Sequence, residues 1–582
     1  MSMAMSSLPP VVVMAAAAAL VAVVPVGVVR KVIAVGAPLL VLAQIALGLD
    51  AGDSWTFTWL SLELEPLRAD RLSIVFGYVF AIAAALGSLY AWHLDDRRQQ
   101  AAALAYAGGS IGVVFAGDLI TLALFWELMA LTSFYLIWAG GYPKSRGAGV
   151  RYLYVHLAGG SILLGGILWH LGAGGSLEFS LFERSAAGWL VLIGFAVNAA
   201  VVPVHAWLSD AYPEAGVTGS VFLSAFTTKT AVYALARGFA DWEILIFLGV
   251  LMALYGVVFA VLENDIRRLL AYHIISQVGY MVAAVGIGTE TAINGAAAHA
   301  FAHVLYKGLL FMGAGAVIYA TGRRTLTALG GISDRMRLVV ALYMVGAFAI
   351  SAFPLFSGFV SKSVVIYAAE KEHLELTVAL LYLASVGTFL HTGLKLPYFT
   401  WFGPRRNDVR VGPVPSGMIA AMFLAAALCI GIGVYPTALY DLLPYPITYS
   451  PYTADHTVHT LELLGFTAIG FWLLRGRLGG EATITLDADW FYRKAHTPVR
   501  VLVQQPLEAV FSFFERGVGA LSQRLITLAT APAIGLAGLL NLLSYARRHG
   551  PDAALALLSR PPLGFALAAV LVTIAVVLLL GG

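Results

Sequence analysis

The sequence predicts an all-α polytopic membrane protein with about 14–16 transmembrane helices. Three observations support this prediction. Of the 582 residues, 60% are hydrophobic and only 12% are charged, whereas an ordinary soluble domain carries about a quarter charged residues. Apolar runs of about 20 residues, the length that crosses a bilayer, recur along most of the chain. The loops between these runs alternate in charge. A soluble multidomain enzyme and a disordered chain are therefore excluded.

About sixteen apolar runs are candidate spans. The first run has no basic segment before it, so we interpret it as a retained helix rather than a cleaved signal peptide. In chain order, the runs are 11–29, 32–49, 72–93, 101–117, 119–140, 151–173, 187–208, 217–237, 244–262, 268–288, 293–320, 338–368, 376–402, 416–438, 461–474 and 563–581.

The loop charges follow the positive-inside pattern when the N-terminus is placed outside. One loop, 209–216, departs from the pattern because it carries Asp210 and Glu214 and no base. The predicted inner loops carry Arg30, Lys31, Arg97, Arg98, Lys144, Arg146, Arg151, Arg267, Arg268, Arg323, Arg324, Arg335, Arg337, Arg405, Arg406 and Arg410. The opposite loops carry Asp53, Glu63, Glu65, Asp70, Glu178, Glu183, Glu370, Glu372 and Glu375.

Charge and cysteine content exclude several classes of function. The net charge of +3 gives no strong attraction to nucleic acid. A single cysteine, Cys429, excludes a disulfide scaffold and a cysteine-based metal site within this chain. There is no Walker motif and no dinucleotide fingerprint followed by a soluble fold, so we expect no cofactor and no metal, and any energy from nucleotides or electrons must come through partners.

The C-terminal part differs from the rest. Residues 477–562 mix charged residues with Val, Leu and Phe, which is typical of an amphipathic segment at the inner interface or against a partner; a flexible linker is the alternative. Residues 563–582 are predicted to form a final anchor. The predicted divisions are 1–100 (N-terminal helices), 101–240 and 241–410 (two repeats), 411–476 (additional helices), 477–562 and 563–582.

Several apolar runs contain Pro or Gly where a helix should be continuous. Pro203 lies in 187–208, Pro354 and Gly358 lie in 338–368, and Pro397 lies in 376–402. Pro removes a backbone hydrogen bond, and the freed groups need protein or water partners in lipid. Broken helices of this kind often mark an ion path, although a single Pro is also compatible with a packing kink.

Two ionisable side chains lie deep within apolar runs. Glu127 is near the middle of its run and has no base on the same helix, so its partner must come from another helix or it must be protonated. Lys229 is also well inside a run, where desolvation favours exchange of its proton. Burying a charged group at this depth costs free energy, so the first hypothesis for such a residue is a functional role. The alternatives are a packing glutamate and a lysine that extends to the interface.

A second group of titratable side chains follows the helical period. His299, His303 and Lys307 are spaced i, i+4, i+8, which puts them on one helical face. Histidine is close to neutral at physiological pH, so this face suits proton hopping; a metal site is less favoured because no nearby Glu or Cys completes it. Lys395 lies two residues before Pro397, and His391 lies one turn earlier. A lysine extending to the inner interface is the alternative for Lys395.

One gap interrupts this pattern. Asn198 lies five residues before Pro203, and an amide takes up no proton at neutral pH. His205, just past the break, is titratable but lies nearer the inner end. Lys362 and Asp118 are further polar groups that we expect near an interface.

Four segments resemble the antiporter-like membrane subunits shared by Mrp-type cation/proton antiporters, respiratory complex I and membrane-bound hydrogenases. The resemblance spans roughly 70–410, and the third segment is most similar to the D-type subunit of Mrp antiporters. The segments are GDLITLALFWELMALTSFYLI, VVPVHAWLSDAYPEAGVTGSVFLSAFTTKTAVYALAR, NDIRRLLAYHIISQVGYM and AHAFAHVLYKGLLFMGAG.

The resemblance implies two inverted five-helix repeats, each with one discontinuous helix, and a chain of charged residues across the mid-membrane plane. Glu127 falls on the family's glutamate, and Lys229 falls on the lysine after the first broken helix. His299, His303 and Lys307 fall on the His-rich central helix, and Lys395 falls on the lysine of the second broken helix. Asn198 stands where the family has a lysine in the first broken helix. The C-terminal segment resembles a lateral helix and anchor that some members lay along neighbouring subunits.

The sequence therefore predicts a proton-translocating subunit of a multi-subunit Na⁺/H⁺ antiporter in a bacterial inner membrane. Its partners would be other membrane subunits, protons, Na⁺ and lipid, with no nucleic acid. One alternative is a proton-pumping subunit of a complex I-like or hydrogenase-like redox complex, with the redox chemistry in other subunits. Others are a non-transporting structural subunit, because Asn198 replaces the lysine, and a self-sufficient transporter of a small organic solute.

Overall fold

A computed structural model describes residues 8–479 without interruption, residues 481, 487, 488 and 490, and isolated residues between 505 and 548. The chain divides into two compact units, Met1–Ala488 and Asp489–Gly582. Only isolated residues of the second unit are described. Most of the predicted amphipathic segment 477–562 and all of the predicted anchor 563–582 therefore lie outside the described residues.

Apart from one short β-hairpin, the first unit is an all-helical polytopic membrane protein, as predicted. Among the described residues, ten helices are long and apolar enough to cross a membrane. The helices are α1 (Pro10–Val23), α2 (Gly27–Gly48), α3 (Arg71–Tyr90), α4 (Arg97–Phe115), α5 (Leu119–Trp138), α6 (Ser145–Gly172), α7 (Ala186–Asn198), α8 (Ala206–Ala211), α9 (Gly219–Ala225), α10 (Thr227–Gly238), α11 (Ile244–Leu262), α12 (Ile266–Ile287), α13 (Glu290–Thr321), α14 (Arg337–Ile350), α15 (Ser357–Lys371), α16 (Glu375–Thr388), α17 (Ser416–Val434), α18 (Thr437–Tyr440) and α19 (Ala454–Leu474).

The acidic loop after α2 contains a small β-hairpin that the helix-based prediction did not include. Strand β1 (Ser54–Trp59) pairs antiparallel with β2 (Leu62–Arg68). The segment SWTFTW alternates Thr with aromatic residues, a pattern typical of strands. Leu60 and Ser61 form the turn with positive φ values of 46° and 63°, as a two-residue hairpin turn of this twist requires.

The first discontinuous helix lies where Pro203 predicts it. Helix α7 ends at Asn198, and the short helix α8 begins at Ala206. The intervening residues include Ala200, which has a positive φ of 58°. The break leaves backbone groups without helical partners in the middle of the bundle, and the indole nitrogen of Trp207 donates to the carbonyl of Val197 at 2.9 Å.

The second discontinuity lies at Pro354 and not at Pro397. Helix α14 ends at Ile350, and α15 begins at Ser357. Helix α16, in contrast, continues through Pro397 in two π-helical turns, Phe389–Lys395 and Tyr398–Phe402. Wider π turns change the backbone pairing around the proline without ending the helix. The placement of Lys395 on the second broken helix is therefore wrong.

The element order gives two successive sets of five spans. Helices α4 to α10 form the first set and α11 to α16 the second, and in each the fourth span is the discontinuous one. Because five is odd, the second set enters the membrane from the opposite side to the first. The helices α12 and α13 of the second set are buried throughout their apolar stretches.

Helices α11 and α12 contact each other backbone to backbone. A Cβ built on Gly249 of α11 would lie 2.3 Å from the backbone nitrogen of Ala283 on α12. A larger residue at this position would therefore separate the two helices. Close packing here fixes the position of α12, which carries several of the buried polar side chains described below.

Ion pairs between neighbouring loops explain the one loop that departed from the charge pattern. Arg324 bonds both Glu214, at 3.1 Å, and Asp265. Arg151 bonds Asp210 with two nitrogens, at 2.6 and 2.9 Å. The acids of segment 209–216 thus pair with Arg324, in the loop after α13, and with Arg151, in the second turn of α6, at the same end of the helices. We call this end the basic side.

Candidate functional site: a buried row of lysines and histidines

Five of the six side chains predicted to carry protons are completely buried. Among the described residues, no group of three or more His, Cys, Asp or Glu side chains is arranged to hold a metal ion. The buried side chains have 0% exposure and belong to α10, α13 and the π-helical continuation of α16: Lys229, His299, His303, Lys307 and Lys395.

The central helix α13 places its three titratable side chains in one row, as the i, i+4, i+8 spacing predicts. The rings of His299 and His303 have centroids 6.4 Å apart. His299 Nδ1 lies 3.2 Å from the hydroxyl of Ser361, and its Nε2 lies 3.5 Å from the hydroxyl of Tyr306. Both nitrogens of His303 and the amine of Lys307 have no hydrogen-bond partner among the described residues. These atoms are free to exchange protons with water or with each other.

Lys229 connects the first set of helices to this row. Its amine donates to the carbonyl oxygen of Ser224 at 2.5 Å and to the hydroxyl of Thr228 at 3.0 Å. Ser224 lies near the end of α9, just before the break at Phe226 that separates α9 from α10. Lys229 and Lys307 are both close enough to His303 to interact with it electrostatically. The row therefore crosses the boundary between the two sets.

Lys362 is a member of the row that we expected, from the sequence, at an interface. It is only 1% exposed and lies just past the second break. Its amine donates to the carbonyl of Ile350, the last residue of α14, at 3.0 Å and to Ser385 at 3.3 Å. The same amine lies 5.1 Å from the ring centroid of Tyr280. The break supplies a carbonyl acceptor for a buried lysine. In the sequence, the position of Lys362 shortly after Pro354 was the feature that could have indicated this role.

His273 is a residue that sequence reasoning missed. It lies in α12, has 0% exposure, and neither ring nitrogen has a hydrogen-bond partner among the described residues. Its ring centroid is 5.9 Å from that of His391. Lys307, Lys362 and Lys395 are all within electrostatic range of His273. A histidine inside an apolar run was the available signal, and His273 connects α13 with α16.

Lys395 occupies the end of the row near the basic side. Its amine donates to the carbonyls of Val261 and Glu263, at 2.6 and 3.0 Å. These carbonyls belong to the end of α11 and the residue after it, where helical partners run out. His391 lies one turn before Lys395. Lys395 is thus held by a helix end rather than by a helix break.

Glu127 lies apart from the row. It is half-buried on α5 and makes no hydrogen bond or ion pair with another described residue. Its carboxylate lies against Gly160 of α6, because a Cβ at Gly160 would be 1.7 Å from Glu127 Oε1. The absence of a side chain at position 160 creates the space for this carboxylate.

The first break contains an amide where the second has a lysine nearby. Asn198 is buried, and its side-chain oxygen has no hydrogen-bond partner among the described residues. Asp118, in contrast, has a structural role. It caps α5 by accepting hydrogen bonds from the backbone of Ile120 and Thr121.

Within the part of the chain that the structure describes, the row consists of bases, and the buried Glu263 is the carboxylate that acts on it, through Lys395. An unpaired buried charge is costly, and like charges within a few ångströms disfavour one another. The four lysines and their intervening histidines therefore form a coupled system, in which protonation of one group affects its neighbours. Such a system is suited to moving protons along the membrane plane.

Comparison with known proteins identifies the family. The model of the family described as "NADH:quinone oxidoreductase/Mrp antiporter, TM" matches residues 116–390. The range covers Glu127, the first break, the α13 row, Lys362 and the beginning of the π-helical turns. The protein MJ1309 of Methanocaldococcus jannaschii is 31% identical over 57% of this chain and 73% of its own length. The chain belongs to this family.

Two named relatives are similar to much of the chain. Hydrogenase-4 component B of Escherichia coli K12 is 30% identical over 62% of this chain and 61% of its own length. The A-type subunit of the Na(+)/H(+) antiporter of Alkalihalophilus pseudofirmus OF4 is 30% identical over 76% of this chain and 63% of its own length. The chain thus spans less than two thirds of either relative.

A solved structure shares the fold. One chain in the structure of the Mrp complex from Dietzia sp. DQ12-45-1b has a TM-score of 0.69 and 22% identity. The alignment covers 79% of this chain and 99% of that chain. The chain therefore shares a multi-pass membrane fold with this neighbour, which is itself part of a multi-subunit complex.

Proposed function

We propose that the chain is the proton-translocating subunit of a multi-subunit Na⁺/H⁺ antiporter of a bacterial cytoplasmic membrane, in the position of the D-type subunit of Mrp antiporters. The observation that carries this proposal is the buried row from Lys229 through α13 to Lys395. Protons would pass stepwise, because each transfer changes the charge that acts on the next group. The match over 76% of the chain to an antiporter component supports the cation specificity.

In this proposal, Glu127 sets the charge at one end of the path. The carboxylate lies at bilayer depth, beside a glycine, without a partner among the described residues. Its change of protonation would alter the field on Lys229. Lys229 would pass a proton to His303 and Lys307, and His273 would connect these residues to His391 and Lys395.

Loss of either of the first two groups tests the proposal. Glu127→Ala and Lys229→Ala are expected to abolish Na⁺-dependent pH-gradient formation in membrane vesicles, while the complex still assembles. Glu178→Ala is the matched control, because Glu178 is an exposed acid whose side chain is 61% accessible. Wild-type transport in both test variants would contradict the proposal.

A redox-driven pump is the second candidate, favoured by the similarity to hydrogenase-4 component B. The two candidates differ in their energy source. An antiporter exchanges Na⁺ for protons in vesicles without an electron donor, whereas a redox pump acidifies only during electron transfer. Neighbouring genes for Mrp-like or for hydrogenase-like subunits would point in the same direction.

A structural role without transport is the third candidate, because Asn198 lacks the charge of a lysine at the first break. Asn198→Lys separates this candidate from the first. A working path is expected to keep or increase its transport rate when a lysine is restored. A scaffold would show the same assembly and the same absence of transport through this chain with either residue.

A further inference from the structure

Asp487 is a buried carboxylate that the proposed path does not use. Its side chain has 0% accessibility, and it lies at the basic side, beyond α19 in sequence. It contacts residues of the first break and of the second helix set, although nearly 300 positions separate it from the former. A charged group buried in this way needs several compensating partners.

Four side chains supply these partners. His205 Nε2 lies 3.1 Å from Asp487 Oδ1, and the hydroxyl of Tyr255 donates to the same oxygen at 2.6 Å. The hydroxyls of Tyr272 and Ser209 donate to Oδ2 at 2.5 and 3.2 Å. These residues come from the first break, α8, α11 and α12. Asp487 therefore joins both helix sets at one point.

The contact orients the ring of His205. Nε2 faces a carboxylate to which it can donate a hydrogen bond, and Nδ1 is the second ring nitrogen. Nδ1 is buried and has no hydrogen-bond partner among the described residues. His205 itself has 0% exposure and is two residues from Pro203. A titratable nitrogen thus lies at the break whose own polar residue, Asn198, takes up no proton.

The charge on Asp487 is maintained. Burial alone would raise the pKa of Asp487, but the hydrogen bonds and charge of His205 and the hydroxyls of Tyr255 and Tyr272 outweigh burial and hold this pKa well below its usual range. Two ion pairs lie on or beside these elements. Arg151 bonds Asp210 beside Ser209, and Arg268 bonds Glu263 at 3.3 Å near Tyr272.

We propose that Asp487 is a positioning residue for His205, and that together they form the proton-loading site of the first helix set on the basic side of the membrane. The inference rests on the proposed function. A proton from the basic side binds His205 Nδ1, the imidazolium is stabilised by the Asp487 carboxylate, and the same Nδ1 releases the proton toward the break. Asp487 keeps its charge throughout, so the step transfers one proton and changes no other bond.

The test is the pH profile of transport by the assembled complex in membrane vesicles. Asp487→Asn removes the carboxylate charge that stabilises a proton on the facing ring, so the pH at which transport falls to half its maximum is expected to move toward acid. Above that midpoint, the rate is expected to fall about tenfold. Asp487→Glu keeps the charge and is expected to keep the wild-type midpoint.

A double-variant comparison connects the effect to His205. In a His205→Gln background, Asp487→Asn is expected to cause no further loss, because both changes act on one group. Asp408→Asn is the matched control, since Asp408 is an exposed acid on the same side with 67% side-chain accessibility. The amount of assembled complex is measured for each variant.

Three results would overturn the inference. They are a wild-type profile in Asp487→Asn, a lower amount of complex that transports with the wild-type midpoint, and additive losses in the double variant. Glu127→Ala, measured in parallel, separates the two proposals. If Glu127→Ala is inactive and Asp487→Asn is normal, only the loading site is wrong; if Glu127→Ala and Lys229→Ala both transport normally, the proposed function itself fails.

Discussion

A glycine determines where the Glu127 carboxylate lies. No side chain can occupy position 160 without meeting Oε1 of Glu127. Local sequence gives no hint of this relation, because the two residues are on different helices and a glycine in an apolar run is also compatible with simple packing. At the residue scale, the position of the carboxylate thus depends on the space left by a neighbouring glycine as much as on the glutamate itself.

Gly160→Ala is therefore expected to reduce Na⁺-dependent proton transport at least tenfold by displacing the carboxylate, since misplacement by about 1 Å is costly for proton transfer. Gly165→Ala is the matched control, one and a half turns further along α6, where a Cβ would meet nothing within 4 Å. Vesicle transport and complex assembly are measured for both. Equal activity of the two variants would contradict the placement of Glu127.

Lys362 leads to a second prediction at this scale. Lys362→Met keeps the length and apolar stem of the side chain but removes the amine that binds the Ile350 carbonyl. We expect transport to fall at least tenfold with normal assembly, because the row loses its member beside the second break. Lys371→Met, at the end of the same helix, is the control. Normal transport by Lys362→Met would place the path elsewhere.

The sequence predicted most of the row, because a charge within an apolar run is conspicuous. Lys229, His299, His303, Lys307 and Lys395 were all identified in this way, and all are buried. Lys362, after the Pro354 break, was expected near an interface, whereas the fold buries it. His273 was overlooked because a single histidine becomes significant only when α13 and α16 place lysines around it. Asp487 was not predictable, since its contacts depend on the tertiary fold.

At the scale of elements, proline indicated breaks correctly in two of three helices. Pro203 and Pro354 are in real interruptions, whereas Pro397 is accommodated by π turns. The difference depends on how neighbouring helices satisfy freed backbone groups, and no local pattern encodes it. The hairpin at 54–68 was missed for a related reason, since the prediction rested on long apolar runs and a short strand pair contains none.

The start of α3 provides a test of stability. Asp70 accepts from the backbone of Ser73 at 2.8 Å, forming a capping box, and its other oxygen accepts from Arg237 at 2.5 Å. Asp70→Asn is expected to lower the Tm of the purified complex by about 1–3 °C at pH 7. Asp50→Asn, an exposed acid on the same side, should leave the Tm unchanged.

The effect of Asp70→Asn depends on pH in a defined direction. Burial raises the pKa of Asp70, but the charge of Arg237 and the Ser73 N–H outweigh burial and lower it overall. A lowered pKa stabilises the fold fully above the ordinary aspartate value of about 3.9, and this contribution is lost as the pH falls further. The Tm values of variant and wild type should therefore converge below that pH. A constant difference down to about pH 3 would contradict the ionic role.

At the scale of the whole molecule, the two helix sets are joined at the basic side. Arg324 follows α13 of the second set and bonds Glu214, which belongs to the first. Arg267 of α12 donates to the carbonyl of Ala215 at 2.7 Å. A transporter that works by rocking one half against the other would have to break these contacts in each cycle.

We expect the sets to stay together during transport. Cysteines replacing Glu214 and Arg324, bridged by a bifunctional maleimide, should leave the rate of the double variant unchanged. Few other thiols of this chain compete for the maleimide, because the chain has a single cysteine, Cys429, which is buried. A loss of transport that appears only after bridging would show that the halves must separate.

The contacts that join the two helix sets at the basic side have a consequence for the rates of the transport steps. Domain movements take microseconds to milliseconds, whereas side-chain rotamers interconvert in picoseconds to nanoseconds when space allows. A scaffold that stays closed leaves only the faster class of motion to carry each step along the row. The rate-limiting step of the cycle would then be the delivery of the cation. The chain would conduct protons without a conformational gating step of its own.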